Sequence, residues 1–193
     1  MALKLYKGWV WLTRIRCRNG YGVHSPFAYN LIHDVVYNPS AYYAYEALVE
    51  QRKALRAGER HSTGKIDGLL FRLANAFQPA QVLVLGTVDA VTVAALHAGC
   101  WTAKEGQLEG IAPIGLLYSS EVPQDLNAFE GLMARATEHS LFVVAGIHRT
   151  KASRRWWQQV QQDPRVGITF DLYEVGLLFF DRSRHKQPYK VNF

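Results

Sequence analysis

One short run carries the clearest chemical possibility in this sequence: Gln81-Val82-Leu83-Val84-Leu85-Gly86-Thr87. A continuous apolar stretch of this length suits a buried parallel strand. A glycine at its carboxyl end lets the backbone approach a nucleotide-like ligand with no Cβ in the way. Gly86 and Thr87 are therefore candidate binding residues. The full G-x-G-x-x-G of a dinucleotide site is absent, since the next glycine after Gly86 is Gly99. A strand that simply ends in a glycine turn has the same local sequence.

The histidines offer less. His24, His33, His61, His97, His139, His148 and His185 show no H-E-x-x-H spacing, so no metal site is expected. His148 follows the end of an apolar run, where sites in α/β sheets gather. It is a candidate general base without a carboxylate near it in sequence. His24 either reaches a cleft or anchors the helices that follow it. Ser25 precedes Pro26 and reads as a helix cap rather than a nucleophile, because no G-x-S-x-G surrounds it. Cys17 and Cys100 are too few for a disulfide framework or a cysteine zinc site, and fit a reducing cytoplasm.

The 193 residues are 49% apolar and 20% charged, the balance of an ordinary globular domain. No apolar run approaches the roughly 18 residues of a membrane span. The net charge of +6 is uneven. Residues 1–18 carry five bases and no acid, residues 19–148 eight bases and twelve acids, and residues 149–193 nine bases and four acids. A uniformly basic nucleic-acid domain is not patterned this way. Bases and aromatics interleave at Trp9, Trp11, Arg14 and Arg16, and again at Arg154-Arg155-Trp156-Trp157. Such clusters can hold nucleic acid or a membrane surface. They equally describe helices that bury tryptophan and leave arginine in water. The first residues do not read as a secretory leader. Thr13 and three arginines follow the short Trp9–Leu12 patch, and no small-residue cleavage site appears.

Apolar periodicity and breakers place these residues on elements. Helices are predicted from Pro26 to about 37, over about 42–57 with Tyr45, Leu48, Val49 and Leu55 inward, and over about 64–77. The strand at 81–87 leads into a helix over 89–98, with Gly99 as its C-terminal cap. Residues 100–113 show no clear element. A strand at 114–118, a helix from Pro123 to about 137, a strand at 141–146 and a helix over about 151–162 follow. Runs at 166–173 and 175–180 are predicted to pair antiparallel. The expected architecture is α/β: a mostly parallel sheet with an antiparallel C-terminal strand pair in residues 79–193, and an N-terminal helical extension in residues 1–78, as one compact unit.

Several segments, taken in order, resemble a bacterial family of class I S-adenosylmethionine-dependent methyltransferases. They are Gly22-Val23-His24-Ser25-Pro26-Phe27, Tyr42-Tyr43-Ala44-Tyr45-Glu46, Gly68-Leu69-Leu70-Phe71-Arg72-Leu73, Val84-Leu85-Gly86-Thr87, Gly146-Ile147-His148, and Asp171 through Phe180. The resemblance spans nearly the whole chain and implies a Rossmann-like fold with S-adenosylmethionine over Gly86 and Thr87. It also exposes departures. The family carries an acid where this chain has Val84, and aspartates where it has Ser119-Ser120 and Ala145-Gly146. Between Gly99 and Ile114 the family would place two more strands with their helices. A single βαβ unit needs roughly 30 residues, so at most one strand fits, with Leu108-Glu109-Gly110 as its remnant. Glu109 then becomes the candidate for a ribose, and Ser119 for the cofactor edge. The expectation is a reduced relative that has lost the cofactor and works as a non-catalytic binding or scaffolding protein in the cytoplasm, as a homo-oligomer or with a protein partner. An active S-adenosylmethionine-dependent methyltransferase of unknown acceptor is the alternative. Nucleic-acid binding through Arg14, Arg16, Arg154 and Arg155 ranks third.

Overall fold

A computed structural model describes residues 13–14, 17, 22–100, 104–105 and 113–193. Ser25 opens the first helix as expected: its hydroxyl oxygen accepts from the Ala28 N–H at 3.4 Å, and Pro26 takes the first position. Helix α1 (Pro26–Asn30) passes into a π-helical stretch, Leu31–Val36. The carbonyls at its end would lack partners. Arg72 supplies them, with Nε on Val35 O at 2.5 Å and Nη2 on Val36 O at 3.1 Å. Helix α2 spans Tyr43–Ala54 and buries Leu48, but Val49, expected inward, is 52% exposed. Helix α3 (Gly64–Phe77) is capped by Thr63 and ends where Gln78 turns left-handed before Pro79.

Strand β1 (Gln81–Leu85) leads into α4 (Ala90–Gly99). Gly99 is the last helical residue rather than a left-handed cap; a Cβ there would collide with Phe71 O and the Ala74 side chain. It lets α4 press directly on α3. One strand, β2 (Lys104–Glu105), lies in the segment where at most one strand was expected, and pairs parallel with β1, Val82 opposite Glu105. Leu108, Glu109 and Gly110 lie outside the described residues, so the strand seen there is at 104–105. Strand β3 is Ile114–Ser119. Helix α5 covers Leu126–Ala134, not residues from Pro123, because Asp125 is the effective cap, its Oδ1 accepting from the Asn127 and Ala128 N–H groups. The helix also stops short of 137: β4 already begins at Ala136 and runs to Ala145. Helix α6 (Lys151–Gln162) follows, then β5 (Thr169–Asp171), β6 (Val175–Phe179) and β7 (Pro188–Lys190). Strand β7 has no counterpart among the predicted elements.

The seven strands lie in the order β2-β1-β3-β4-β6-β5-β7. β1, β2, β3 and β4 are mutually parallel, and β6 inserts between β4 and β5, antiparallel to both. This is the mostly parallel α/β sheet with an antiparallel C-terminal pair. Strand residues alternate between two cores. Val82, Leu116, Val143 and Leu177 face α1 and α3, whereas Leu83, Leu117, Phe142 and Leu178 face α5 and α6, where Trp156 and Trp157 are buried. Helices α1 and α3 of the N-terminal part thus pack on one face of the sheet together with α4, which contributes Leu96.

Candidate functional site

The sheet's order reverses between β1 and β3, the place where open α/β sheets hold ligands outside their carboxyl ends. A cavity of about 520 Å³ lies beside this point, over β3 and β4. Tyr118 and Ser120 bound it from β3, and Gly146, His148 and Arg149 from the turn after β4. The β5–β6 turn, the loop 60–62 and the start of α3 complete it. Gly146 makes the turn possible: its φ is +76°, a conformation that costs little only without a Cβ. Its N–H donates to Glu174 O at 2.8 Å, and its carbonyl accepts the Arg149 N–H at 2.9 Å. His148 and Arg149 are thereby fixed at the cavity wall.

His148 has the carboxylate partner that its neighbours in sequence lack. Its Nε2 lies 2.8 Å from Asp171 Oδ2. Asp171, at the end of β5, is buried and also accepts two bonds from Arg14, Nη1 to Oδ1 at 2.9 Å and Nη2 to Oδ2 at 3.1 Å. Burial pushes the Asp171 carboxyl up, but the hydrogen bonds from His148 and Arg14 and the Arg14 charge outweigh it and hold it at about 2. An ionised carboxylate only accepts. The 2.8 Å contact therefore puts a proton on His148 Nε2, and the Arg14 Nη2–Nε2 approach of 3.3 Å is a contact between two donors. Tyr173 closes the group. It stacks on His148 with 5.2 Å between ring centroids and carries the Arg14 guanidinium 5.1 Å above its ring. Its φ of +71° is held by its N–H on Asp171 Oδ1 at 2.9 Å.

A second buried charge group stands under the loop after β1. Asp89 caps α4 through the Thr92 N–H at 2.9 Å and also accepts from the His61 and Ser62 N–H groups. Arg52 reaches it with both terminal nitrogens, at 2.9 and 3.1 Å, and lies 2.5 Å from Asp67 Oδ2. Burial raises the Asp89 carboxyl, but bonds from Arg52, Thr92 and His61 bring it down to about 2. Asp67 goes the other way, raised by burial more than Arg52 lowers it. The single clue to this group in the sequence was Asp89 ahead of an apolar helix.

The described residues expected to bind a cofactor, Gly86, Thr87 and Ser119, do not line the cavity. Gly86 and Thr87 are exposed at the end of β1 and do not line it. Ser119 is buried and donates its hydroxyl to Glu121 O at 2.6 Å. Glu109 and Arg16 lie outside the described residues. Val84 packs against the α1–α3 core. His24 is exposed. Arg14 points inward to Asp171. Arg155 is exposed and Arg154 half-buried beside the buried Trp156 and Trp157, so those rings do not stack on a ligand. Among the described residues no three His, Cys, Asp or Glu converge to hold a metal ion, and no helix is long and apolar enough to cross a membrane.

No family model and no curated protein matches the sequence. Solved structures do share its shape. The methyltransferase PaMTH1 of Podospora anserina, solved with S-adenosylhomocysteine, superposes with a TM-score of 0.55 over 81% of this chain and 96% of its own, at 10% identity. The O-methyltransferase TomG of Streptomyces achromogenes, solved with S-adenosylmethionine, gives 0.51 over 73% and 91%, at 11% identity. At such identities the likeness concerns the fold. The chain has the class I methyltransferase fold.

Proposed function

We propose that this chain is a methyltransferase-like protein that has lost S-adenosylmethionine binding and works as a non-catalytic binding protein, with a protein or a second copy of itself as partner. The carrying observation is the packing at Gly86. Its φ is +82°, and a Cβ there would collide with Ser120 Oγ, so Ser120 stands close against this glycine at the strand edge. The Ser120 N–H is bonded to Leu85 O at 3.0 Å, which pins the β3 end over that of β1. The charge around the edge supports the same reading. S-adenosylmethionine carries a sulfonium and an ammonium against one carboxylate. Here Arg60 and Arg149 line the cavity against one carboxylate, Glu174, and the slots for acids hold Val84, Ser119, Ser120, Ala145 and Gly146. The described residues do not fit that cofactor. Calorimetry of the full chain with S-adenosylmethionine and S-adenosylhomocysteine tests this. No saturable heat is expected, and binding at micromolar affinity would sink the reading.

One observation favours the runner-up, an active S-adenosylmethionine-dependent methyltransferase. His148, oriented by Asp171, stands in a cavity large enough for a substrate, as a base awaiting an acceptor would. In that reading Gly86, Thr87, Ser119 and Glu109 hold the cofactor, and Glu109→Ala abolishes its binding.

A further inference from the structure

We infer that a second cavity, between α2 and α3, binds a small apolar monocarboxylate, with its carboxylate against Arg72 and Tyr45 and its hydrocarbon body along Leu48 and Val49. The inference goes beyond the reading above, because this cavity shares no lining residue with the one over β3 and β4.

The balance of charge is the first support. Arg52, Lys53, Lys65 and Arg72 line the cavity, with Asp67 as the acid among them. Three of these bases are engaged. Arg52 is ion-paired with Asp67 and Asp89, Lys53 lies 2.7 Å from Glu50, and the Lys65 ammonium stands 4.1 Å from the centre of the Phe193 ring. Arg72 differs. It is half-buried, and its bonds go to neutral acceptors: the Val35 and Val36 carbonyls and the Tyr45 hydroxyl. It makes no ion pair among the described residues. A single charge partly withdrawn from water and left without a counter-ion suits a ligand of one negative charge.

The donors on the same wall suit a carboxylate. A guanidinium carries five N–H groups, and each Arg72 nitrogen spends one, so Nη1 and Nη2 each keep a second. The Tyr45 oxygen accepts from Nη1 at 2.9 Å, and its own proton has no acceptor among the described residues. Gly68 leaves this edge uncovered, since a Cβ there would stand 3.3 Å from Nη1. Guanidinium N–H groups beside a phenol O–H match the planar oxygens of a carboxylate.

The rest of the wall calls for an apolar body. The volume is about 350 Å³, within the roughly 300–1,000 Å³ of small-molecule sites. Leu48 and the Tyr45 ring line it, together with Val49, an apolar side chain left 52% exposed. Gly64 adds room, with nothing within 4 Å of where its Cβ would be. A bare anion would leave this surface wet, and a dianion would bring a second charge that Arg72 does not balance.

The test is calorimetry on the full chain with octanoate, acetate and octan-1-ol, in the wild type and in Tyr45→Phe and Val49→Glu. Octanoate is expected to bind saturably, at least about tenfold more tightly than acetate or the alcohol. Tyr45→Phe removes one donor and should weaken octanoate about three- to tenfold. Val49→Glu sets a like charge at the rim and should weaken it by a similar factor. Val49 is half in solvent on a helix, so this second variant keeps the fold if Tyr45→Phe does not. Absence of saturable octanoate binding, or an affinity that Val49→Glu leaves unchanged, overturns the site. Equal affinity for octan-1-ol overturns the carboxylate, and equal affinity for acetate overturns the apolar body.

Discussion

Replacing Asp171 by asparagine preserves the side chain's shape and removes its charge. Four donors converge on this carboxylate: two from Arg14, one from His148 and the Tyr173 N–H. The side chains of Asp171 and Arg14 are 4% and 12% exposed, so water screens the pair little. An asparagine offers one acceptor oxygen, turns an NH₂ toward other donors, and leaves the Arg14 charge uncompensated. Removing one member of a buried pair costs about 3–5 kcal/mol. The carboxyl's own titration gives a second gauge. It is held at about 2 against an ordinary 3.8, which corresponds to about 2 kcal/mol of stability. The loss expected at pH 7 is therefore about 2–4 kcal/mol, a fall in Tm of roughly 4–16 °C for a domain of this size. Because the folded carboxyl titrates below the unfolded one, this stability is present above about pH 4. It is lost as pH falls from there toward 2. Urea unfolding followed by circular dichroism at pH 7, 5 and 3 should show the gap between wild type and Asp171→Asn narrowing in acid. A gap under about 1 kcal/mol at pH 7, or one that does not change with pH, would refute the reasoning.

Other perturbations follow from the same packing. Arg52→Ala leaves Asp67 and Asp89 buried without their cation and should cost about 3–5 kcal/mol by denaturant unfolding. Adding Asp67→Asn should recover part of that loss, since burial already disfavours that carboxylate. Gly99→Ala forces α3 and α4 apart and should cost about 1–3 kcal/mol or more. Gly131→Ala, in α5 with open space around its Cβ, should instead raise stability by about 0.5–1 kcal/mol. Thermal melts of these two variants should therefore move in opposite directions.

Local signals proved legible where one residue type has one physical use. Ser25 before Pro26 and the apolar period over 64–77 place their helices to within a residue. The tryptophans of α6 are core, as the helical spacing of Trp156, Trp157 and Val160 allows. Competing signals are harder to read. Pro123 is a common helix start, but the Asp125 carboxylate, which accepts two N–H bonds, is the cap of α5. Strand β7 has three residues with exposed, buried, exposed side chains, too short a pattern to separate from a loop. Val49 sits at an apolar helical position, yet among the described residues no element covers it.

The sequence by itself determined the α/β plan, buried strands at 81–87 and 114–118, and the antiparallel C-terminal pair. Those properties reside in composition and in periods a few residues long. Only the tertiary structure decided the site. His148 meets Asp171 23 positions away, and Asp171 meets Arg14 at a distance of 157. Arg14, which read as a free base at a charged terminus, is half of a buried pair. Ser120 packs against Gly86, and the cavity lies one strand further over, over β3 and β4. Such contacts depend on strand order, and strand order is set by which faces bury together across the whole chain.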